Sequence, residues 1–257
     1  RANALTLKQL EAKLVPPLTP GYFLPALAQV RNPRYLKALV ALATRLGVDL
    51  LPECGVRGYS IQGRRVVAAD TKEGAVTADH YVVCGGAWSR RIVGVLRFAL
   101  PLFPVRGQMV LLKTPAPIIT RVILQGKRYI VPRDDGHVLV GSTEDYVGFN
   151  RKTEPKDLDE LRQFAMALVP ELKSAEVEAT WAGLRPGTQD GLPFIGPLPE
   201  MENVWVAAGH FRAGIQLSPA TARIMAQLIC GEEPLVPVEA FRLTRPAAGP
   251  FRPAFRS

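Results

Sequence analysis

Three glycine-punctuated segments hold the residue types best suited to chemistry. In Gly209-His210-Phe211-Arg212-Ala213-Gly214-Ile215-Gln216-Leu217-Ser218-Pro219-Ala220, an apolar run feeds a glycine-bounded turn, and a helix is predicted from Pro219. In an open α/β sheet, ligands sit at the carboxyl ends of strands against helix N-termini. Glycine lets backbone N–H groups come close to such a ligand. An ordinary strand-to-helix connection gives the same pattern. The second segment runs from Trp181 to Gly196 and carries Arg185 between a predicted strand and Pro186. A guanidinium is a planar fork that matches a carboxylate, although a salt bridge or a plain loop arginine explains it as well. The third, Val82-Val83-Cys84-Gly85-Gly86-Ala87-Trp88-Ser89, is an apolar strand ending in small residues. Close approach of a dinucleotide needs this, and so does tight strand–helix packing.

The elements that must position these segments are legible in outline. Leu5 to Leu14 reads as an amphipathic helix stopped by Pro16, Pro17, Pro20 and Gly21. A second helix is predicted with Asn32 as cap and Pro33 at its first position, ending at Leu46-Gly47. Short strands are expected at Val48–Leu51, Val56–Ile61, Arg65–Asp70 and Ala75–Ala78, with a hairpin turn at Gln62-Gly63. The unalternating run Tyr81–Cys84 reads as a strand buried on both faces, as in a parallel sheet. From Pro104 on the character changes. Strands are predicted at Pro104–Leu112, Arg121–Leu124, Tyr129–Pro132 and Val138–Gly141, with a hairpin turn at Arg133–Gly136. Next come a helix over Asp157–Val169, a strand over Ala175–Trp181, a glycine- and proline-rich stretch to Pro199, a buried strand over Val204–Ala207 and a helix over Pro219–Leu228. An α/β layer is thus interrupted by an antiparallel layer and then resumed, the pattern of an α/β protein with an inserted domain.

Taken together, the three segments resemble the FAD-dependent D-amino-acid-oxidase-like amine oxidases, most closely the glycine oxidase branch of thiamine biosynthesis. The likeness runs from the Asn32-Pro33 helix to Phe241-Arg242, and Tyr129-Ile130-Val131-Pro132-Arg133 is part of it. It implies an FAD-binding layer of Rossmann type over 30–101 and 182–245. It also implies an antiparallel-sheet substrate domain over 1–29 and 102–181, and a disordered tail over 246–257. For the site, it implies that Arg185 binds an amino-acid carboxylate and that Tyr129 donates a hydroxyl to the same group. Arg212 would lie beside flavin and substrate, and Glu144 would line the pocket. It further implies FAD contacts from Val56, Gly85, Gly86, Trp88 and the loop Gly209, His210, Phe211, Arg212, Ala213, Gly214 and Ile215. The reaction implied is oxidation of glycine, sarcosine or a small D-amino acid to the imine and then the α-keto acid, with oxygen reduced to hydrogen peroxide. A D-amino-acid dehydrogenase with another electron acceptor, or an inactive truncated fragment, are the alternatives.

One departure stands out. The family begins with a strand, a GxGxxG turn and a helix that cradle the FAD pyrophosphate, a unit of roughly thirty residues. No GxGxxG occurs in the 257 residues, and the first of them is Arg1. The expectation is therefore a Rossmann-like layer incomplete at its N-terminus, in a chain that was processed or is a piece of something longer.

Composition bounds the remaining classes. Apolar residues are 47% and charged ones 21%, which supports a packed core and excludes a disordered chain. There is no apolar run of transmembrane length, so no membrane span is expected. The 32 basic and 23 acidic residues give a net charge of +9. The arginines are dispersed, with no aromatic-basic stripe, so a small anionic ligand is expected rather than nucleic acid. Cys54, Cys84 and Cys230 show no CxxC spacing, and His80, His137 and His210 lack ligand spacing. The expectation is a reducing, cytoplasmic setting with no metal site. Cys84 is read as a small strand residue, His80 and His137 as exposed turn residues, and Trp88, Trp181 and Trp205 as core. A homo-oligomer, tetrameric by family analogy, completes the set.

Overall fold

The computed structural model describes residues 1–15, 18 and 20–246. The chain divides into two units. The first is Arg1–Leu27 with Val105–Leu184, and the second is Ala28–Pro104 with the segment from Arg185 on. The prolines expected to stop the first helix at 16 and 17, and the expected tail beyond Pro246, lie outside the described residues. No described helix is long and apolar enough to cross a membrane.

The first unit opens with α1 (Ala4–Leu10), capped by Asn3, whose side-chain oxygen accepts from the Thr6 N–H at 2.8 Å. The helix ends four residues before the predicted Leu14. Glu11 turns to extended dihedrals and, largely buried, accepts from the Thr120 N–H, the Thr120 hydroxyl and the Arg121 N–H. Three donors to one carboxylate outweigh one more helical residue. Leu14 is buried all the same, in the cluster described next.

In chain order the strands used below are β1 (Val56–Gln62), β2 (Arg65–Thr71), β3 (Gly74–Val76), β4 (Tyr81–Val83), β5 (Leu102–Lys113), β6 (Ile123–Gln125), β7 (Arg128–Pro132), β8 (His137–Gly141), β9 (Glu176–Thr188), β10 (Phe194–Pro197) and β11 (Val204–Ala208). The further helices are α2 (Asn32–Arg45), α3 (Ser89–Gly94), α4 (Pro155–Leu168) and α5 (Gly214–Ile229). The first unit is built on the sheet ordered β6-β7-β8-β5-β9, with β6–β7, β7–β8 and β8–β5 antiparallel. Val110, Leu112, Ile130, Val138 and Val140 alternate onto one face, where α4 covers them with Leu161, Ala165 and Leu168. The helix begins at Pro155, which needs no partner for the N–H it lacks.

In the second unit β1, β2 and β3 form an antiparallel meander, turned between β1 and β2 at Gly63 with φ +58°. A second sheet runs β10-β11-β4, with β11 parallel to β4 and antiparallel to β10. Val66, Val83, Val93, Leu100, Phe194 and Val206 are among its core. The fully buried Asn203 stitches the two sheets. Its amide bonds the Val66 N–H, the Val66 carbonyl and the Asp79 carbonyl, while its own carbonyl accepts from the Tyr81 N–H.

Several expectations are corrected here. Val48–Leu51 is not a strand, and its leucines and Val48 are exposed. Asn32 is the first residue of α2 rather than its cap, a position held by Arg31, whose side chain makes no capping hydrogen bond. No residue of α2 is buried, so its apolar stripe of Leu36, Leu39 and Val40 stays exposed. Likewise β4 is buried on one face only, with Val82 44% exposed between Tyr81 and Val83. Trp88 and Trp181 are exposed rather than core. His137 is no exposed turn residue. It opens β8 with its ring wedged between Asp135 (Nδ1, 2.7 Å) and Glu178 (Nε2, 2.9 Å).

Candidate active site

The second unit brings two of the three segments to one place. Its parallel strands pair Val204 with Tyr81 and Val206 with Val83, so both run the same way. Gly85-Gly86 and Gly209-His210 therefore leave the sheet at the same, carboxyl end, the end at which open α/β sheets take ligands. Gly209 turns with φ +86°. A Cβ there would lie 2.6 Å from Thr188 Cγ2, so the position admits glycine alone. Phe211 follows in the left-handed region at φ +48°, a strained setting for an aromatic residue that the surrounding turn must hold.

The helix after this turn starts earlier than Pro219. α5 runs from Gly214, with Pro219 inside it. Proline cannot donate to the carbonyl four residues back, but the Ser218 hydroxyl bonds that same Ile215 carbonyl at 2.8 Å. The free N–H groups and positive dipole end of a 16-residue helix thus open directly at Gly214-Ile215. Behind the turn, His210 Nε2 meets Thr221 Oγ1 at 3.0 Å, and burial pushes the imidazole below its ordinary value.

On the neighbouring strand end, Gly86 has φ +54° with open space where a side chain would be. The backbone at Gly85 is closed off by Ile92. The Ser89 hydroxyl, fully buried, is an orphan among the described residues, with no hydrogen-bond partner. Open space at a left-handed glycine, an orphaned hydroxyl, a strained glycine-flanked turn and a helix N-terminus together suit a ligand held largely by backbone N–H groups. Val56 stands at the exposed start of β1 in this same unit.

Arg185 lies within β9, not on a loop after it. Proline and glycine at 186 and 187 read as a break in the sequence. However, β9 is the outermost strand of its sheet, where a proline costs no ladder bond, and a Cβ at Gly187 would strike the Phe103 ring. A half-buried arginine on a strand is held more rigidly than one on a loop. Arg212 is exposed in the Gly209–Gly214 turn.

Tyr129 and Glu144 belong to the first unit. Tyr129 pairs with Gly141 across β7 and β8, and its hydroxyl reaches Met109 Sδ at 3.3 Å. Glu144 follows three residues after Gly141 and accepts from the Tyr146 hydroxyl at 3.3 Å. The segment carrying it is fixed by a buried polar network missing from the sequence reading. Arg106 bonds Asp145 (3.1 Å) and the Lys152 carbonyl (2.7 Å). Gln108 bonds Thr143, Asp145 and Asp157 and accepts from the Glu154 N–H. Also missed were Ser89, Asn203 and an ion pair between Asp190 and Arg245. Only Asp190-Gly191, a turn signal, marks the last of these locally.

Comparison with known proteins places the chain in a family. Residues 2–228 match the family model "FAD dependent oxidoreductase" (DAO). The chain is 40% identical over 227 residues to a glycine oxidase of Pseudomonas putida, covering 86% of this chain and 62% of that protein. It is 37% identical over 213 residues to the bifunctional protein ThiO/ThiG of Nostoc, covering 81% of this chain and 32% of that one. The crystal structure of glycine oxidase from Geobacillus kaustophilus superposes with a TM-score of 0.91 at 31% identity, covering 96% of this chain and 67% of that chain. The chain therefore spans about 62% of the length of the Pseudomonas putida relative it matches.

Proposed function

The chain belongs to the DAO family of FAD-dependent oxidoreductases, and we propose that it serves the FAD-dependent oxidation of a small amine such as glycine, sarcosine or a small D-amino acid. The carrying observation is the shared carboxyl end of β4 and β11. Two glycine-bounded turns, a strained Phe211 and the N-terminus of α5 meet there, in a chain 40% identical to a glycine oxidase.

The residues present suit FAD. The N–H groups of Gly209, His210, Phe211, Ala213, Gly214 and Ile215 would hold the flavin ring. Gly85, Gly86 and Trp88 would add contacts to the dinucleotide, and Val56 to its adenine side. When bound, FAD supplies the acceptor for the α-carbon hydride and passes the electrons to oxygen, giving peroxide. The protein's share is alignment. In the second unit Arg185 would clamp the substrate carboxylate through its fork and Arg212 would add positive charge, while the first unit would offer the Tyr129 hydroxyl and Glu144 as substrate contacts. The thiamine pathway, a cytoplasmic location and a tetramer fit this reading by likeness to the glycine oxidases.

The test is a peroxide assay on the purified chain with added FAD, using glycine, sarcosine and D-alanine. Peroxide from glycine or sarcosine supports the reading. Rapid dye reduction without peroxide points to a dehydrogenase, and neither signal shows that this chain alone does not carry the chemistry.

A further inference from the structure

We infer that Arg245 and Asp190 form a positioning clamp that fixes the Gly209–Ala213 turn from behind. The inference rests on the reading of that turn as the flavin-holding one. Arg245 lies beyond the residues matched by the family model, which end at 228. Its segment is anchored, since Leu243 is buried in the core of the second unit. Its guanidinium is only 8% exposed at the side chain and is almost fully used. Nε meets Asp190 Oδ2 at 2.6 Å and NH2 meets Asp190 Oδ1 at 2.9 Å. NH2 also reaches the Leu192 carbonyl at 2.8 Å, and NH1 the Pro193 carbonyl at 2.9 Å. The plane stacks on the Phe194 ring at 3.8 Å.

The loop so gripped is closed on itself. The Leu192 N–H donates to Asp190 Oδ1, and the Thr188 hydroxyl donates to the Leu192 carbonyl. Both ends of this loop wall in Gly209. Thr188 Cγ2 stands 2.6 Å, and Pro193 Cα and the Phe194 nitrogen 3.5 Å, from where a Gly209 Cβ would be. Phe194 pairs with Ala208, the last residue before that glycine. Thr188 ends β9 and Phe194 opens β10, while residues 189–193 between them are not regular structure, so the guanidinium ties down the segment that joins the two walls. A wall held this tightly can keep Phe211 at its positive φ, because strain persists only where the surroundings over-determine it. Burial raises the Asp190 carboxyl, but the Arg245 hydrogen bonds and the Leu192 N–H outweigh it and hold the group below its ordinary value, so the clamp stays charged through the neutral range.

The experiment compares the unaltered chain with Arg245→Ala, Asp190→Asn and Arg245→Lys by hydrogen exchange and by FAD titration. Exchange is read at two bonded amides, Leu192 (to Asp190) and Ala213 (to the His210 carbonyl). Arg245→Ala should speed exchange at both amides, and weaken FAD binding, by about ten- to a hundredfold, the worth of a charge-assisted contact. Arg245→Lys keeps the charge without the fork and should fall between the two. It also stands in if Arg245→Ala fails to fold. Faster exchange at Leu192 with Ala213 unchanged would overturn the inference, because the clamp would then serve its own loop only. If the unaltered chain takes up no FAD, the flavin reading fails, while the exchange comparison still decides whether the clamp positions the turn.

Discussion

The Tyr129 ring occupies the space that a side chain on Gly141 would need. The two residues are register partners across β7 and β8, and a Cβ at 141 would lie 2.6 Å from Tyr129 Cζ and 2.7 Å from its hydroxyl. Gly141 thereby sets where that hydroxyl stands. Gly141→Ala should cost about 1–3 kcal/mol by overpacking and raise KM for the amine substrate by displacing Tyr129. Tyr129→Phe keeps the ring in place and should leave the melting temperature nearly unchanged while raising KM. Calorimetry beside steady-state kinetics separates the two.

Arg106 is buried among Asp145, Glu154 and Asp157. Removing it takes a charged donor from part-exposed carboxylates, of which Asp145 and Asp157 keep the Gln108 amide, so Arg106→Ala should destabilise the chain by about 1–3 kcal/mol. Urea titration reads this directly. A loss below 1 kcal/mol would show that the network around residues 143–145 is held some other way.

Folding of the second unit should depend on pH through His210. Burial lowers its imidazole in the folded chain, whereas the unfolded residue titrates near 6.5. Below about pH 6.5 the unfolded chain takes up a proton that the folded chain refuses. Stability should therefore fall as pH drops from there towards the lowered folded value, and be full above it. His210→Gln, which can still bond Thr221, should flatten that slope. Urea midpoints at pH 7.5 and pH 5 for both chains check the sign.

Arg185 should act on substrate more than on the fold. Arg185→Ala should raise KM by about 10- to 100-fold, the worth of a charge-assisted carboxylate contact. An unchanged KM would remove Arg185 from the site.

What the sequence showed and what it hid divide along physical lines. The hairpins at Gln62-Gly63 and Arg133–Gly136, the alternating strands and the strands at 81–83 and 204–208 were legible, because local turn chemistry and period specify them; that the last two pair in parallel was not, because pairing is set by distant chain. Val48–Leu51 was misread because an apolar run alone does not say whether a partner strand exists. The start of α5 was misplaced because proline reads as a boundary until a neighbouring hydroxyl, here Ser218, satisfies the carbonyl it leaves open. The strand position of Arg185 was hidden because an edge strand tolerates the proline that seems to end it. Contacts such as Arg245 on Asp190, 55 residues apart, leave no periodic trace at all. The same holds for the three donors that Glu11 gathers from Thr120 and Arg121.

The most direct test of the account is an absorbance spectrum of the purified chain after incubation with FAD and desalting, taken beside its intact mass. Retained flavin bands, at a mass matching these 257 residues, are the predicted result, with Gly209→Ala losing them. A colourless chain of that mass would contradict the claim that the turns after β4 and β11, with Val56, hold the cofactor in this chain.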